Sequence, residues 1–333
     1  MKAVSAYKGK IGITEIEITA PPPGHVLIRT EYSAISPGTE LSFLRRTSDQ
    51  QVILGYSAVG IVEQLGEGVA GITAGQRVAC YGAPYVKHAE MLTVPCNLTA
   101  PVPDHVSPEE AAFAGLGAIA IHALRTAELR FGESAVVVGL GILGQMIGQI
   151  ASAAAFRVIG LDLSAGRAEL LNRPGKISSF ASLELMEEHM REATGGYGAD
   201  SVLLCAGGPG EELINQSLGW IRDRGNIVIV GDMTTSFSRG LMFAKEAQVL
   251  ISRAGGPGRY DSSYERDNRD YPIAHVRWTE GRNIGEYVRL LAERRIEIRP
   301  LITNIVPFEQ AEAAYGSYEA SKDVMGTLLR YGT

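Results

Sequence analysis

Residues 134–144, SAVVVGLGILG, carry a β-branched apolar run into the pattern Gly139-Leu140-Gly141-Ile142-Leu143-Gly144, and a helix-forming stretch, QMIGQIASAAAF, follows to residue 156. Glycines at this spacing between a strand and a helix predict a dinucleotide site. Gly139 permits the tight turn, Gly141 lets the backbone approach a pyrophosphate, and Gly144 lets helix and strand pack closely. Ile142 and Leu143 open the helix, whose free N–H groups and positive dipole end suit phosphate. Asp162 ends the next apolar run, RVIGLD, at 157–162. A carboxylate there accepts both ribose hydroxyls and repels a 2′-phosphate, which favours NAD(H) and leaves NADP(H) as the alternative. Arg167 has three open readings: a contact over the adenine, a partner for a 2′-phosphate, or a solvated arginine at a helix start.

The uncharged segment 134–156 also contains GxxxG at Gly144 and Gly148, as a membrane helix would. Its four glycines, two glutamines and change of character at Gly139 argue instead for strand, turn and helix, so no membrane partner is expected. Downstream, helical patterns near 165–172 and 183–193 alternate with the apolar runs SVLLCAG (201–207) and NIVIVGD (226–232). Alternation of this kind predicts a doubly wound parallel sheet with helices on both faces. Backbone at 206–208 and 230–232, with Ala206, Val230 and Gly231, would then border the nicotinamide pocket at the carboxyl ends of strands.

Upstream, short runs at 3–7, 11–18, 58–65 and 77–81, with the stop PPPG at 21–24, predict a mainly β, barrel-like half. Ser107-Pro108-Glu109-Glu110 supplies an N-cap, a first-turn proline and a capping-box glutamate for the helix that leads into the second domain. Helices at 284–294 and near 308–318 precede a last short strand at 326–329.

A chain of 333 residues is long enough for two domains. Its 31 basic and 37 acidic residues give a net charge of −6 and form no basic stripe, which argues against a nucleic-acid partner. Cys80, Cys96 and Cys205 stand apart, so neither a disulfide framework nor a cysteine-built metal centre is expected. Charges throughout MKAVSAYKGKIGITEIEI fail the pattern of a secretory leader, and a cytoplasmic location is the expectation.

Residues 52–69, VILGYSAVGIVEQLGEGV, space Gly55, Gly60, Gly66 and Val69 in the manner of a signature of the medium-chain dehydrogenase/reductase superfamily, and Gly75-Gln76-Arg77-Val78 fits its next turn. The chain resembles that superfamily over nearly its whole length. The resemblance implies a GroES-like β-barrel domain at 1–117 and 276–333, and a Rossmann domain at 118–275. It also places Tyr56-Ser57 where the zinc enzymes carry His-Glu. The positions of the metal ligands fall on Ser36, Tyr56 and near Gly115, and the structural zinc lobe is missing after Tyr81. Ser, Tyr and Gly do not make a tetrahedral zinc site, so the resemblance implies a zinc-independent branch with no metal. SAISPGTE (33–40), LGAIAIHAL (116–124) and GPGRYD…DYP…VRWTEGRN (256–283) look most like the group holding bacteriochlorophyllide dehydrogenase and oxidoreductases of sugar or cyclitol metabolism.

Without a Lewis acid, hydride transfer needs a side chain to move the hydroxyl proton. Tyr56, Glu40 and His88 are the catalytic candidates, with the Ser36 and Thr39 hydroxyls orienting substrate. Alternatively, Tyr56 fills the volume of the lost ligand, Glu40 caps a helix and His88 is structural. The polar, aromatic stretch 252–283 is either a surface or oligomer contact, or a cover in which Arg253, Arg259, Tyr260 and Trp278 face a hydroxylated small molecule. The expected protein is a homodimeric NAD(H)-dependent oxidoreductase interconverting a secondary alcohol and a ketone on a polyol or sugar-like substrate. Its rivals are a reductase of activated C=C bonds and a catalytically inactive dinucleotide-binding sensor or partner subunit.

Overall fold

The computed structural model describes residues 1–45 and 49–332. The chain divides into two compact units, one of Met1–Ala118 with Ala254–Thr333 and one of Ile119–Arg253.

In the second unit, six parallel strands lie in the order Ile177–Phe180, Arg157–Leu161, Ser134–Val138, Ala199–Leu204, Ile221–Ile229, Gln248–Ile251. The order reverses between Ser134–Val138 and Ala199–Leu204, which is where open α/β sheets bind ligands. Ser134–Val138 is buried along its whole length, as its uninterrupted apolar run requires of a central parallel strand. Val136, Ile159, Val202 and Ile227 form the core beneath the helices. The uncharged segment thus becomes a five-residue strand and the 12-residue helix Ile142–Ala153. Among the described residues, no helix is long and apolar enough to cross a membrane.

The first unit is mainly β, as the barrel-like half predicts. Its larger sheet runs Ile302–Pro307, Gly326–Arg330, His25–Ala34, Ser57–Leu65, Arg77–Tyr81, Thr99–Pro101, with Met91–Pro95 also paired to His25–Ala34. A three-stranded sheet is built from Lys10–Glu15, Lys2–Tyr7 and Val52–Ile53. Ser107 Oγ accepts from Glu110 N at 3.4 Å, as the cap predicts. The helix pauses after Ala111 and resumes as Ala114–Thr126. Glu110 does not close the capping box; Oε1 accepts from Ile298 N and Arg299 N at 2.9 and 3.0 Å.

The return to this unit comes at 254, earlier than the expected 276. Residues 254–275 carry no further strand–helix period, and their polar and aromatic groups find partners in the β unit. Asn97 donates from N to Asn268 Oδ1 at 2.7 Å and from Nδ2 to Tyr264 O at 3.0 Å. Tyr264 itself is buried with Val78, Leu92 and Leu98.

Candidate active site

In the dinucleotide unit, the strand ends and the glycine turn are fitted to one another. Gly139 has a φ of +89°, and a Cβ there would lie 2.8 Å from Ala206 N. A Cβ on Gly144 would run into Gly139 O, whereas one on Gly141 would meet nothing within 4 Å. The turn is therefore closed on its packed side and open at Gly141, which precedes Ile142 and Leu143 without a side-chain cap. That leaves first-turn N–H groups for a phosphate. Val230 N and Gly231 N both donate to Leu204 O at 2.9 Å, and Gly208 N donates to Asp232 O at 2.9 Å. Gly231 packs so closely on Ala206 O that no side chain fits.

Asp162 braces this turn. Its Oδ2 accepts from Leu140 N at 2.6 Å, and its Oδ1 accepts from Ser164 N at 2.8 Å. A carboxylate oxygen has a second acceptor site, so both remain able to receive ribose hydroxyls. The half-buried Arg167 lies on the helix Ala165–Leu171 that follows. Buried Gln145 donates from Nε2 to Arg167 O at 2.7 Å and to Leu140 O at 3.3 Å, tying that helix to the turn.

In the β unit, Tyr56 directly precedes the strand Ser57–Leu65, and its hydroxyl donates to Ser36 Oγ. The Thr39 hydroxyl also bonds to it, so the structure gathers three of the residues expected from sequence. Burial pushes the phenol up to about 12 against the pull of the Ser36 bond, and the nearby Glu40 charge adds to the rise. The phenol is thus a proton-bearing donor at neutral pH. Its ring packs edge-on against Tyr81, with centroids 5.7 Å apart.

Position 115 has no room for a ligand. Ser57 Oγ accepts from Gly115 N at 2.8 Å and donates to Ala112 O at 2.6 Å. A Cβ on Gly115 would lie 2.7 Å from Tyr81 Cδ2 and 2.9 Å from Ser57 Cβ. The positions that the resemblance assigns to metal ligands therefore hold two mutually bonded neutral hydroxyls and a glycine that must stay a glycine. Such a donor set does not fit Zn²⁺. Among the described residues, no group of three or more His, Cys, Asp or Glu could hold a metal ion.

Glu40 and His88, each left open between a catalytic and a structural reading, face inward. They are 2% and 0% exposed. Glu40 accepts from Ser36 N at 2.8 Å, from Tyr315 OH and from the His88 Nε2 side at 2.9 Å. His88 Nδ1 meets Ser33 Oγ at 2.7 Å, and Ser33 meets Tyr331 OH at 2.8 Å. This closed network fixes the backbone of Ser36, and so the acceptor of the Tyr56 proton.

The stretch 252–283 is divided. Arg253 ends the dinucleotide unit, whereas Arg259, Tyr260 and Trp278 belong to the β unit. Trp278 is half-buried beneath the guanidinium of Arg277, 3.9 Å from its ring centroid. Arg259 donates to Glu265 and lies 4.2 Å from the Tyr260 ring centroid, and Tyr260 is 61% exposed. Sequence reading passed over Tyr81, Glu265 and Glu280. Glu280 follows Thr279 at a helix start, where a glutamate is ordinarily a solvated first-turn residue, and no sequence signal marks it as buried.

Residues 22–128 match the alcohol dehydrogenase GroES-like domain family, and residues 143–266 match the zinc-binding dehydrogenase family. The chain is 25% identical over 344 aligned positions to a probable D-xylulose reductase A of Aspergillus clavatus, covering 91% of this chain and 88% of that one. It is 24% identical to a 2-dehydro-3-deoxy-L-galactonate 5-dehydrogenase of Pseudoalteromonas atlantica, covering 95% and 94%. Among solved structures, an alcohol dehydrogenase from a Thermus species superposes with a TM-score of 0.80 at 23% identity, covering all of both chains.

Proposed function

The chain belongs to the medium-chain dehydrogenase/reductase superfamily of pyridine-nucleotide-dependent enzymes, and from that premise we propose a zinc-independent, NAD(H)-preferring oxidoreductase of polyol or sugar-like substrates. The observation that carries this reading is the Tyr56–Ser36 hydrogen bond in the place of a metal site, with position 115 closed. Relatives that act on a ketose and a sugar acid support the substrate class.

The nicotinamide, when bound, supplies or accepts the hydride. The chain's own residues hold it and manage the proton. The glycine turn and helix start receive the pyrophosphate, and Asp162 receives the ribose hydroxyls and repels a 2′-phosphate. In ketone reduction, Tyr56 gives its hydroxyl proton to the developing alkoxide, while Ser36 and Thr39 orient the phenol. Tyr260, exposed over Arg259, offers an aromatic wall to the substrate. Glu40 and His88 position Ser36.

Among the described residues, the strand Gln248–Ile251 pairs only with Ile221–Ile229 and ends its sheet, and Ile251 and Phe243 are 68% and 74% exposed. We infer that a second copy covers that edge, which makes the protein a homodimer. The assay that tests the function follows NADH oxidation by the full chain against ketoses, including D-xylulose, beside enones and quinones. Turnover on ketoses and not on enones is expected. Turnover confined to enones or quinones, or NADH binding without any turnover, contradicts the reading.

A further inference from the structure

Glu280 opens the helix Glu280–Ala292, is fully buried, and has no N–H or O–H of the described residues aimed at either carboxylate oxygen. As an anion it would be a buried charge without a donor, an arrangement folded proteins avoid. The helix start does not relieve it, because the Arg282 N–H donates to Thr279 Oγ1 at 3.3 Å.

The Glu280 carboxyl lies instead against Glu265, which is 7% exposed. Glu265 Oε1 already accepts from Arg259 Nη1 and from Tyr260 N at 3.1 Å. Arg259 also donates to Ala83 O at 2.7 Å, and its guanidinium carbon is 6.0 Å from the Tyr81 ring centroid. The other titratable groups facing Glu280 are Tyr81 from the strand Arg77–Tyr81, and Tyr264 and Tyr271 from the segment before the helix. Two buried carboxyls thus face the Arg259 guanidinium. Carboxyl oxygens in contact satisfy each other only when one carries a proton and donates it to the other.

We propose that Glu280 holds this proton and donates it to Glu265, and that the shared-proton pair positions Arg259 and the substrate-facing Tyr260. Glu280 and Glu265 are then positioning residues. The inference rests on the function proposed above only for what Tyr260 faces. Burial pushes the Glu280 carboxyl up to about 8, with Arg259 opposing and Glu265 adding to the rise. From the ordinary carboxyl range up to about pH 8, the folded chain keeps a proton that the unfolded chain has lost. Stability therefore falls as pH rises through that window, and above it a second charge beside Glu265 loosens the segment bearing Tyr260.

Glu280→Gln preserves size and an N–H donor toward Glu265 but cannot ionise. The full-length wild type is expected to lose unfolding temperature relative to Glu280→Gln by about 2 °C per pH unit between roughly pH 5 and 8. Hydrogen exchange of residues 254–270, compared at one pH at a time, should match near pH 6 and run about tenfold faster in the wild type near pH 9. Parallel unfolding temperatures overturn the shared proton. Diverging temperatures with equal exchange overturn its positioning of Arg259 and Tyr260. Turnover enters neither readout, so a failed ketose assay bears on the proposed function alone.

Discussion

Tyr56 was legible as a departure from a pattern, but its partners were only partly so. The spacing of Gly55, Gly60 and Gly66 exposed the missing ligand, and the resemblance pointed to Ser36. That the two hydroxyls bond each other is a property of the folded backbone. The same limit applies to Glu40 and His88, because sequence names ionisable groups near a site without saying which way they face. Both are buried and bonded into the network behind Ser36. Glu280 was missed for the converse reason, since a first-turn glutamate reads as solvated whether or not a neighbouring loop covers it. Removing the Tyr56 hydroxyl takes away the proton donor while the ring still packs on Tyr81. Tyr56→Phe should therefore lower ketose turnover by about 100-fold or more, with an unfolding free energy within about 1 kcal/mol of wild type. Because burial raises the phenol to about 12, wild-type turnover should show no loss from Tyr56 ionisation over roughly pH 7–10, as a pH–rate series would report.

At the scale of elements, the strand–turn–helix at 134–156 was the most legible part of the chain. An apolar strand, a glycine turn and an uncharged helix agree with one another locally, and the structure keeps each close to its predicted bounds. Less legible was the capping-box glutamate, because Glu110 has better partners in Ile298 N and Arg299 N, nearly 190 residues away in sequence. Asp162 joins two elements: its oxygens accept from the glycine turn and from the start of the next helix, and the proposed ribose contact uses what acceptor capacity remains. Asp162→Asn places an N–H₂ against a backbone N–H. It should weaken NADH binding by about tenfold, roughly one hydrogen bond to a charged group. It should weaken NADPH binding less, narrowing the preference that paired cofactor titrations would measure. Equal losses for both cofactors would mean that Asp162 only braces the turn.

At the scale of the whole molecule, the two-unit plan followed from a change of period: short strands before residue 107, alternating strands and helices after it. The first junction, between Ala118 and Ile119, lies inside the helix Ala114–Thr126, which the cap at Ser107 announces some ten residues earlier. The second was misplaced by some twenty residues, because 254–275 has no periodicity and is assigned by contacts such as Tyr264 in the β core. The two units divide the labour proposed here, one holding the dinucleotide and one moving a proton without a metal. That division is the central claim, and metal dependence tests it most directly. Full-length enzyme dialysed against a strong chelator, shown metal-free by elemental analysis, and assayed with NADH and its best ketose should keep its full turnover, unchanged by added Zn²⁺. Activity that falls with the metal and returns with Zn²⁺ would contradict the account.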